Sequence, residues 1–149
     1  MDTMDVKGQA SVEYLLLALV FLIIIGSVSV PLVGKAIDSS LDVSHSSDTS
    51  AAINSIANAV GVVYSNGPGA KRTLNVYFSK GGTISYNSAN STIQMSVALT
   101  NGTNKIIDAN VPIQVNFSPS GTVISNTNYN ATVTWPVGTT NVNVALAQS

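Results

Sequence analysis

Tyr14-Leu-Leu-Leu-Ala-Leu-Val-Phe-Leu-Ile-Ile-Ile25 is an apolar run without a single charge, and its reading decides the architecture. Gly26, Ser27, Ser29 and Pro31 interrupt it before Leu32 and Val33 close it. With those residues tolerated, 12–33 is long enough to cross a hydrocarbon core of ~30 Å as a helix. Lys35 and Asp38 mark the exit from the apolar region. Three readings of such a segment compete: a secretory signal that is discarded, a plain membrane anchor, or a helix that later leaves the bilayer. A discarded signal needs small residues at a cleavage site just beyond its core. Gly34-Lys35-Ala36 matches that pattern poorly, and the run is longer than an ordinary signal core.

The helical period continues from 37 to 64. Ile37, Leu41, Ala52, Ile56, Ala59, Val60 and Val63 fall close to one stripe, with Asp38, Asp42, Asp48 and Asn54 away from it or at its margin. The stripe is weak in the middle, where Ser44 and Asp48 stand at positions that call for apolar residues. Two readings stand: one long helix, or two in series with Asp48-Thr49-Ser50 as a fresh N-cap. The segment ends at Ser65-Asn66-Gly67-Pro68-Gly69, a cluster of helix breakers and turn formers.

Beyond Gly69 the period changes from helical to alternating. Leu74, Val76 and Phe78 form one alternating set, followed by a turn at Gly81-Gly82. Ile93, Met95, Val97 and Leu99 form a second, closed by Asn101-Gly102. Val111, Ile113, Val115 and Phe117 form a third, Val133, Trp135 and Val137 a fourth, and Val142, Val144 and Leu146 a fifth. Pro112 and Pro136 inside two of these runs predict edge strands or bulges. The intervening residues are mostly Thr, Asn and Ser, as expected for antiparallel sheet with one solvated face. The fold class expected is therefore α+β: a long N-terminal apolar helix followed by a small antiparallel β-sandwich-like domain.

Composition narrows the chemistry. The 149 residues include no cysteine, which excludes disulfides, thiolate metal sites and a cysteine nucleophile. Charged residues are 9% of the chain and the net charge is -1, so there is no basic footprint for nucleic acid. The only histidine, His45, sits in the serine-rich helical segment, and Asp108 is the only acid after Asp48. A carboxylate pair in the β region is thus unavailable, and neither a phosphate loop nor a metal-ligand spacing occurs. Trp135, Tyr77, Tyr86 and Tyr129 read more readily as strand packing than as a sugar-binding patch. No enzyme, cofactor or metal is expected. Four sequons, at Asn90, Asn101, Asn116 and Asn130, all lie in the β region and mark possible N-glycosylation sites.

Upstream of the apolar run stands Lys7-Gly8-Gln9-Ala10-Ser11-Val12-Glu13. Gly8 offers a protease an unhindered backbone, and Lys7 suits the cytoplasmic side of a bilayer. Glu13 is a carboxylate in the first turns of a membrane-length helix, a placement that costs a few kcal/mol unless paired or interfacial and that points to function. Ser11 is small enough to permit close helix contact. These residues resemble the class III signal peptide of euryarchaeal type IV pilins, a basic residue and glycine followed by Gln-x-Ser-x-Glu and an apolar helix. The resemblance is specific over this stretch and extends to the remaining chain only through architecture.

The resemblance implies a pilin-like lollipop, with 1–8 removed by a prepilin peptidase after Gly8 and a mature helix over 9–66. That helix would have an apolar half at 12–33 and an amphipathic half at 37–64, with an outer β domain over 67–149. It further implies that Glu13 pairs with the free N-terminal amine of Gln9, its own or a neighbour's, during assembly. Gly26 and Pro31 would let the helix stretch or bend as subunits pack, or are a kink tolerated in a membrane helix. The implied partners are copies of itself in a helical homopolymer, the peptidase, a pilus assembly ATPase and a membrane platform protein. The precursor would sit in the cytoplasmic membrane and the product in an extracellular filament for adhesion. The alternatives are a minor pilin or pseudopilin and a non-polymerising, membrane-anchored surface glycoprotein.

Overall fold

In a computed structural model, the protein is described over residues 4–118 and 120–149, with the backbone alone over 4–10. One helix, α1 (Met4–Asn66), runs 63 residues without interruption. Eight strands follow: β1 (Lys71–Phe78), β2 (Gly82–Asn87), β3 (Thr92–Ala98), β4 (Asn104–Asn110), β5 (Val115–Phe117), β6 (Thr122–Val123), β7 (Thr127–Thr134) and β8 (Val142–Gln148). The observed class is α+β, an apolar N-terminal helix followed by largely antiparallel sheet.

Of the two helical readings, the single helix is the one found, and Thr49, in the middle of the alternative cap, bonds back into it. Thr49 Oγ1 donates to the His45 carbonyl at 2.9 Å, Asn54 Nδ2 to that of Ser50 at 2.8 Å, and Ser55 Oγ to that of Ala51 at 2.7 Å. Each polar side chain folds back on the preceding turn instead of capping a new one. Asp48-Thr49-Ser50 is therefore mid-helix. The helix also continues through Gly26 and Pro31. Pro31 has no N–H, so the Ser27 carbonyl lacks its usual partner one turn on. The end comes where expected, with Gly67 at φ 85° and its N–H donating to the Tyr64 carbonyl at 3.2 Å. That left-handed glycine closes the last turn at no steric cost.

The chain divides into two compact units between Ser40 and Leu41. The expected boundary near residue 66 follows the change of secondary structure, whereas compactness places the last turns of α1 with the strands. The first unit is helix alone. In the second, the strands make two four-stranded sheets, ordered β1-β7-β8-β5 and β4-β3-β2-β6. Every pairing is antiparallel except β5 with β8, which run parallel through Val115↔Val142 and Phe117↔Val144.

The core of this unit joins α1 to both sheets. Ile53, Ile56, Val60 and Val63 of the helix are buried together with Phe78, Ile84, Ile93, Met95, Val97, Val133, Val142 and Val144. Each such aliphatic side chain contributes ~1.5–3 kcal/mol by leaving water. The buried line of the helix starts with Ser46 and Thr49, while Ile37 and Leu41 are exposed. From Ala52 on, the expected stripe is the buried one, with Ala52, Ile56, Ala59, Val60 and Val63 all inside; upstream it continues through Thr49 and Ser46, the Thr49 hydroxyl being satisfied by the His45 carbonyl. On one flank of the helix, Asp48, Ala52 and Ser55 line a cleft with Asn75 and Tyr77 of β1. On the other, Asp42, Ser46 and Ser50 line a groove with Lys105 and Ile107 of β4. β1 and β4 are edge strands of their sheets.

Some strand expectations change. Pro112 and Pro136 lie outside every strand: β5 begins at Val115 and β7 ends at Thr134. Val111 and Ile113 therefore precede β5, and Trp135 and Val137 follow β7. Strands β2, β4 and β6 had no counterpart among the alternating sets.

Candidate assembly and processing site

The large side chains of the apolar half of α1 are exposed. Leu15, Leu16 and Leu17, successive residues about 100° apart around the axis, are 67%, 56% and 54% exposed. The same holds onward through Phe21, Leu22, Ile23, Ile24 and Ile25 to Val33. This is a helix apolar all round, of the kind that resides in lipid or inside a bundle. It is long and apolar enough to cross a membrane.

Glu13 and Ser11 are both exposed on this helix. They are two positions apart, so they lie on different sides and do not act on one ligand together. Gln9 is four residues before Glu13, one turn away on the same side, with its backbone helical. The side chains of Lys7 and Gln9, which flank Gly8 where processing is expected, lie outside the described residues. Gly26 has open space around its Cα, and nothing would meet a methyl there.

Elsewhere the side chains considered for chemistry are dispersed. Among the described residues no group of His, Asp and Glu could hold a metal ion. His45 is half-buried, and its Nδ1 is enclosed with no hydrogen-bond partner. Asp108 is exposed on β4. The aromatics do not gather into a patch. Tyr129 is buried against Phe78 and accepts the Ile124 N–H on its hydroxyl at 2.8 Å. Trp135 stacks on Tyr64 at 5.5 Å and donates its Nε1–H to the Thr139 carbonyl at 2.9 Å. Tyr86 is packed on the core, and exposed Tyr77 donates to Asn126 at 3.1 Å.

One carboxylate with a definite task went unnoticed in the sequence. Asp42 accepts the Thr100 N–H on both oxygens at 3.0 Å and the Thr100 hydroxyl on Oδ1 at 2.8 Å. It ties the helix to the turn between β3 and β4. Nothing local signals a contact across 58 positions.

The outer face of the β1-β7-β8-β5 sheet carries Lys71 at one end of β1 and is otherwise uncharged and hydrogen-bonded across strands. Thr73 and Thr132 hydroxyls meet at 3.2 Å, and Asn75 Nδ2 donates to Asn130 Oδ1 at 3.2 Å. All four sequon asparagines are exposed. Asn90 is in the β2–β3 turn, Asn101 in the β3–β4 turn, Asn116 on β5 and Asn130 on β7. No family model, no curated protein and no solved structure matches this chain.

Proposed function

We propose that the protein is the precursor of a structural subunit of an archaeal type IV pilus. It is cleaved after Gly8 and polymerises through its apolar helix into a surface filament for adhesion. The observation that carries this reading is the division of labour along α1. Its last turns are buried in the β unit, while Val12 to Val33 expose large apolar side chains on every side. Such a helix must be covered by lipid or by copies of itself, and at ~25 cal/mol per Å² of apolar surface the driving force is ample. The pilin-like lollipop is part of this proposal.

The sequence around the processing point supports the filament over a permanent anchor. Cleavage after Gly8 leaves a free amine on Gln9, one turn from Glu13 and about 6 Å along the axis at 1.5 Å per residue. An amine and a carboxylate so placed neutralise one another within one subunit or across two. Either pairing removes the cost of carrying Glu13 through an apolar environment. A prepilin peptidase, an assembly ATPase and a membrane platform protein are the partners this reading requires.

The test is the N-terminal residue of the protein sheared from cell surfaces. A chain starting at Gln9 in that fraction supports processing and polymerisation together. A chain starting at Met1 and retained with membranes refutes the reading in favour of an anchored surface protein. Its abundance in purified filaments then separates a major subunit from a minor pilin or pseudopilin.

A further inference from the structure

We propose that Asn101 is the sequon that receives an N-linked glycan in the folded protein. The inference rests on the preceding reading in one respect: the β unit must lie outside the cytoplasmic membrane. N-glycosyl transfer needs an exposed asparagine amide, a hydroxyl two residues on, and a backbone able to leave the body of the protein. Geometry divides the four sequons on these requirements.

Asn101-Gly102-Thr103 meets all of them. It lies at the tip of the β3–β4 turn, with all three residues exposed. Asn101 Oδ1 accepts the Thr103 N–H at 2.9 Å and the Thr103 hydroxyl at 2.6 Å. The hydroxyl is thus already paired with the amide of its own sequon. Two hydrogen bonds on Oδ1 draw electron density through the carboxamide and make the Nδ2 protons easier to lose. Gly102 at φ 81° supplies the left-handed conformation that the turn requires. The base of the turn is fixed by Leu99 N–H donating to the Thr103 carbonyl at 2.8 Å and by Asp42 on Thr100. The tip is presented on a rigid support.

The other three sequons each fail one requirement. At Asn90 the hydroxyl belongs to Thr92, which is 3% exposed and begins β3. Asn130 is on β7 between β1 and β8, its backbone enclosed in the ladder on both sides. Its Oδ1 is taken by Asn75, and its sequon hydroxyl on Thr132 by Thr73. Asn116 lies in β5, extended and registered against Asn143 of β8.

Asn101 Nδ2 attacks the anomeric carbon of a polyprenyl-phosphate-linked oligosaccharide. The new N–C bond forms as the C–O bond to phosphate breaks. The phosphate leaves with the electron pair, and a base of the membrane transferase takes the Nδ2 proton.

The experiment is mass spectrometry of the full chain isolated from its own cells, as wild type and as Asn90→Asp, Asn101→Asp, Asn116→Asp and Asn130→Asp. Aspartate keeps the Oδ1 acceptor of the turn and removes the reactive nitrogen. Lys80 and Lys105 bracket both Asn90 and Asn101, so electron-transfer fragmentation locates the glycan on the peptide. The expected result is loss of one glycan mass in Asn101→Asp and Thr103→Ala, with retention in Thr103→Ser and in the other three aspartate variants. An unglycosylated chain, equal occupancy of all four sequons, or a wild-type glycan mass in Asn101→Asp overturns the proposal. The N-terminal residue is read in the same spectra. A glycan on Asn101 of a chain starting at Met1 sinks the processing step alone. A bare Asn101 on a chain starting at Gln9 sinks the acceptor assignment alone.

Discussion

Two isoleucines on one helix should respond to the same substitution with very different losses of stability. Ile53 is 0% exposed within the shared core, whereas Ile24 is 54% exposed. Truncating a buried isoleucine to alanine costs ~2–5 kcal/mol, the lost transfer free energy plus that of the cavity left behind. Enclosed by both helix and sheet residues, Ile53 belongs near the middle of that range, about 3 kcal/mol. For a unit near one hundred residues, that lowers the melting temperature by roughly 12–24 °C. Ile24→Ala should change it by less than the equivalent of ~0.5 kcal/mol, as exposed substitutions do. The assay is thermal unfolding of the full chain in detergent, followed by fluorescence of Trp135, the only tryptophan. Trp135 stacks on Tyr64 at the end of α1 and so reports the β unit and not the apolar half. Equal shifts for both variants, or a fall of only a few degrees for Ile53→Ala, would refute the claim that the last turns of α1 are integral to the core.

Asp42→Ala should destabilise the same unit by about 1 kcal/mol, through loss of its hydrogen bonds to Thr100. Faster amide exchange at Thr100 and Gly102 is the local signature, and unchanged exchange would count against the tie. Gly121→Ala should cost about 2–3 kcal/mol, because the added methyl overlaps the Ile84 carbonyl, whose position is fixed by the Ile84 N–H bond to Gly121 O at 2.9 Å; denaturant titration measures it. Gly8→Val should leave an unprocessed chain in the membrane fraction, and normal filaments from it would weigh heavily against the proposed function. Glu13→Val should be cleaved normally yet yield few sheared filaments, and wild-type yield would remove its assembly role.

Periodicity made the long elements legible. The breakers from Ser65 to Gly69 located the end of α1, and sets such as Val76 and Phe78 or Val142 and Val144 gave β1 and β8. The strands that escaped notice have sparse inward positions. β4 turns only Ile107 and Ala109 inward, with Ile106 exposed beside them, so adjacent isoleucines blur the alternation. β2 buries Ile84 alone, and β6 is two residues long. In the opposite direction, Val111-Pro-Ile113 alternates on paper without being a strand, since Pro112 has no N–H to donate to a ladder. The upstream end of the buried helix stripe was hidden for a different reason. Ser46 and Thr49 are polar by type, and only the fold shows them turned inward. At the candidate processing site, residue identity carries the reading: Glu13 is exposed like its neighbours, whereas the Asp42 tie is visible only in three dimensions.

The outer face of the β1-β7-β8-β5 sheet, uncharged apart from Lys71, bears on where this protein can work. After residue 66 the only charged side chains are Lys71, Arg72, Lys80, Lys105 and Asp108. Screening shortens from ~8 Å at physiological ionic strength to ~3 Å in molar salt. Ion-pair networks weaken over that range, but contacts between neutral groups such as Thr73 with Thr132 and Asn75 with Asn130 carry no such dependence. The cross-strand contacts of this outer face should therefore hold in dilute and in concentrated salt alike.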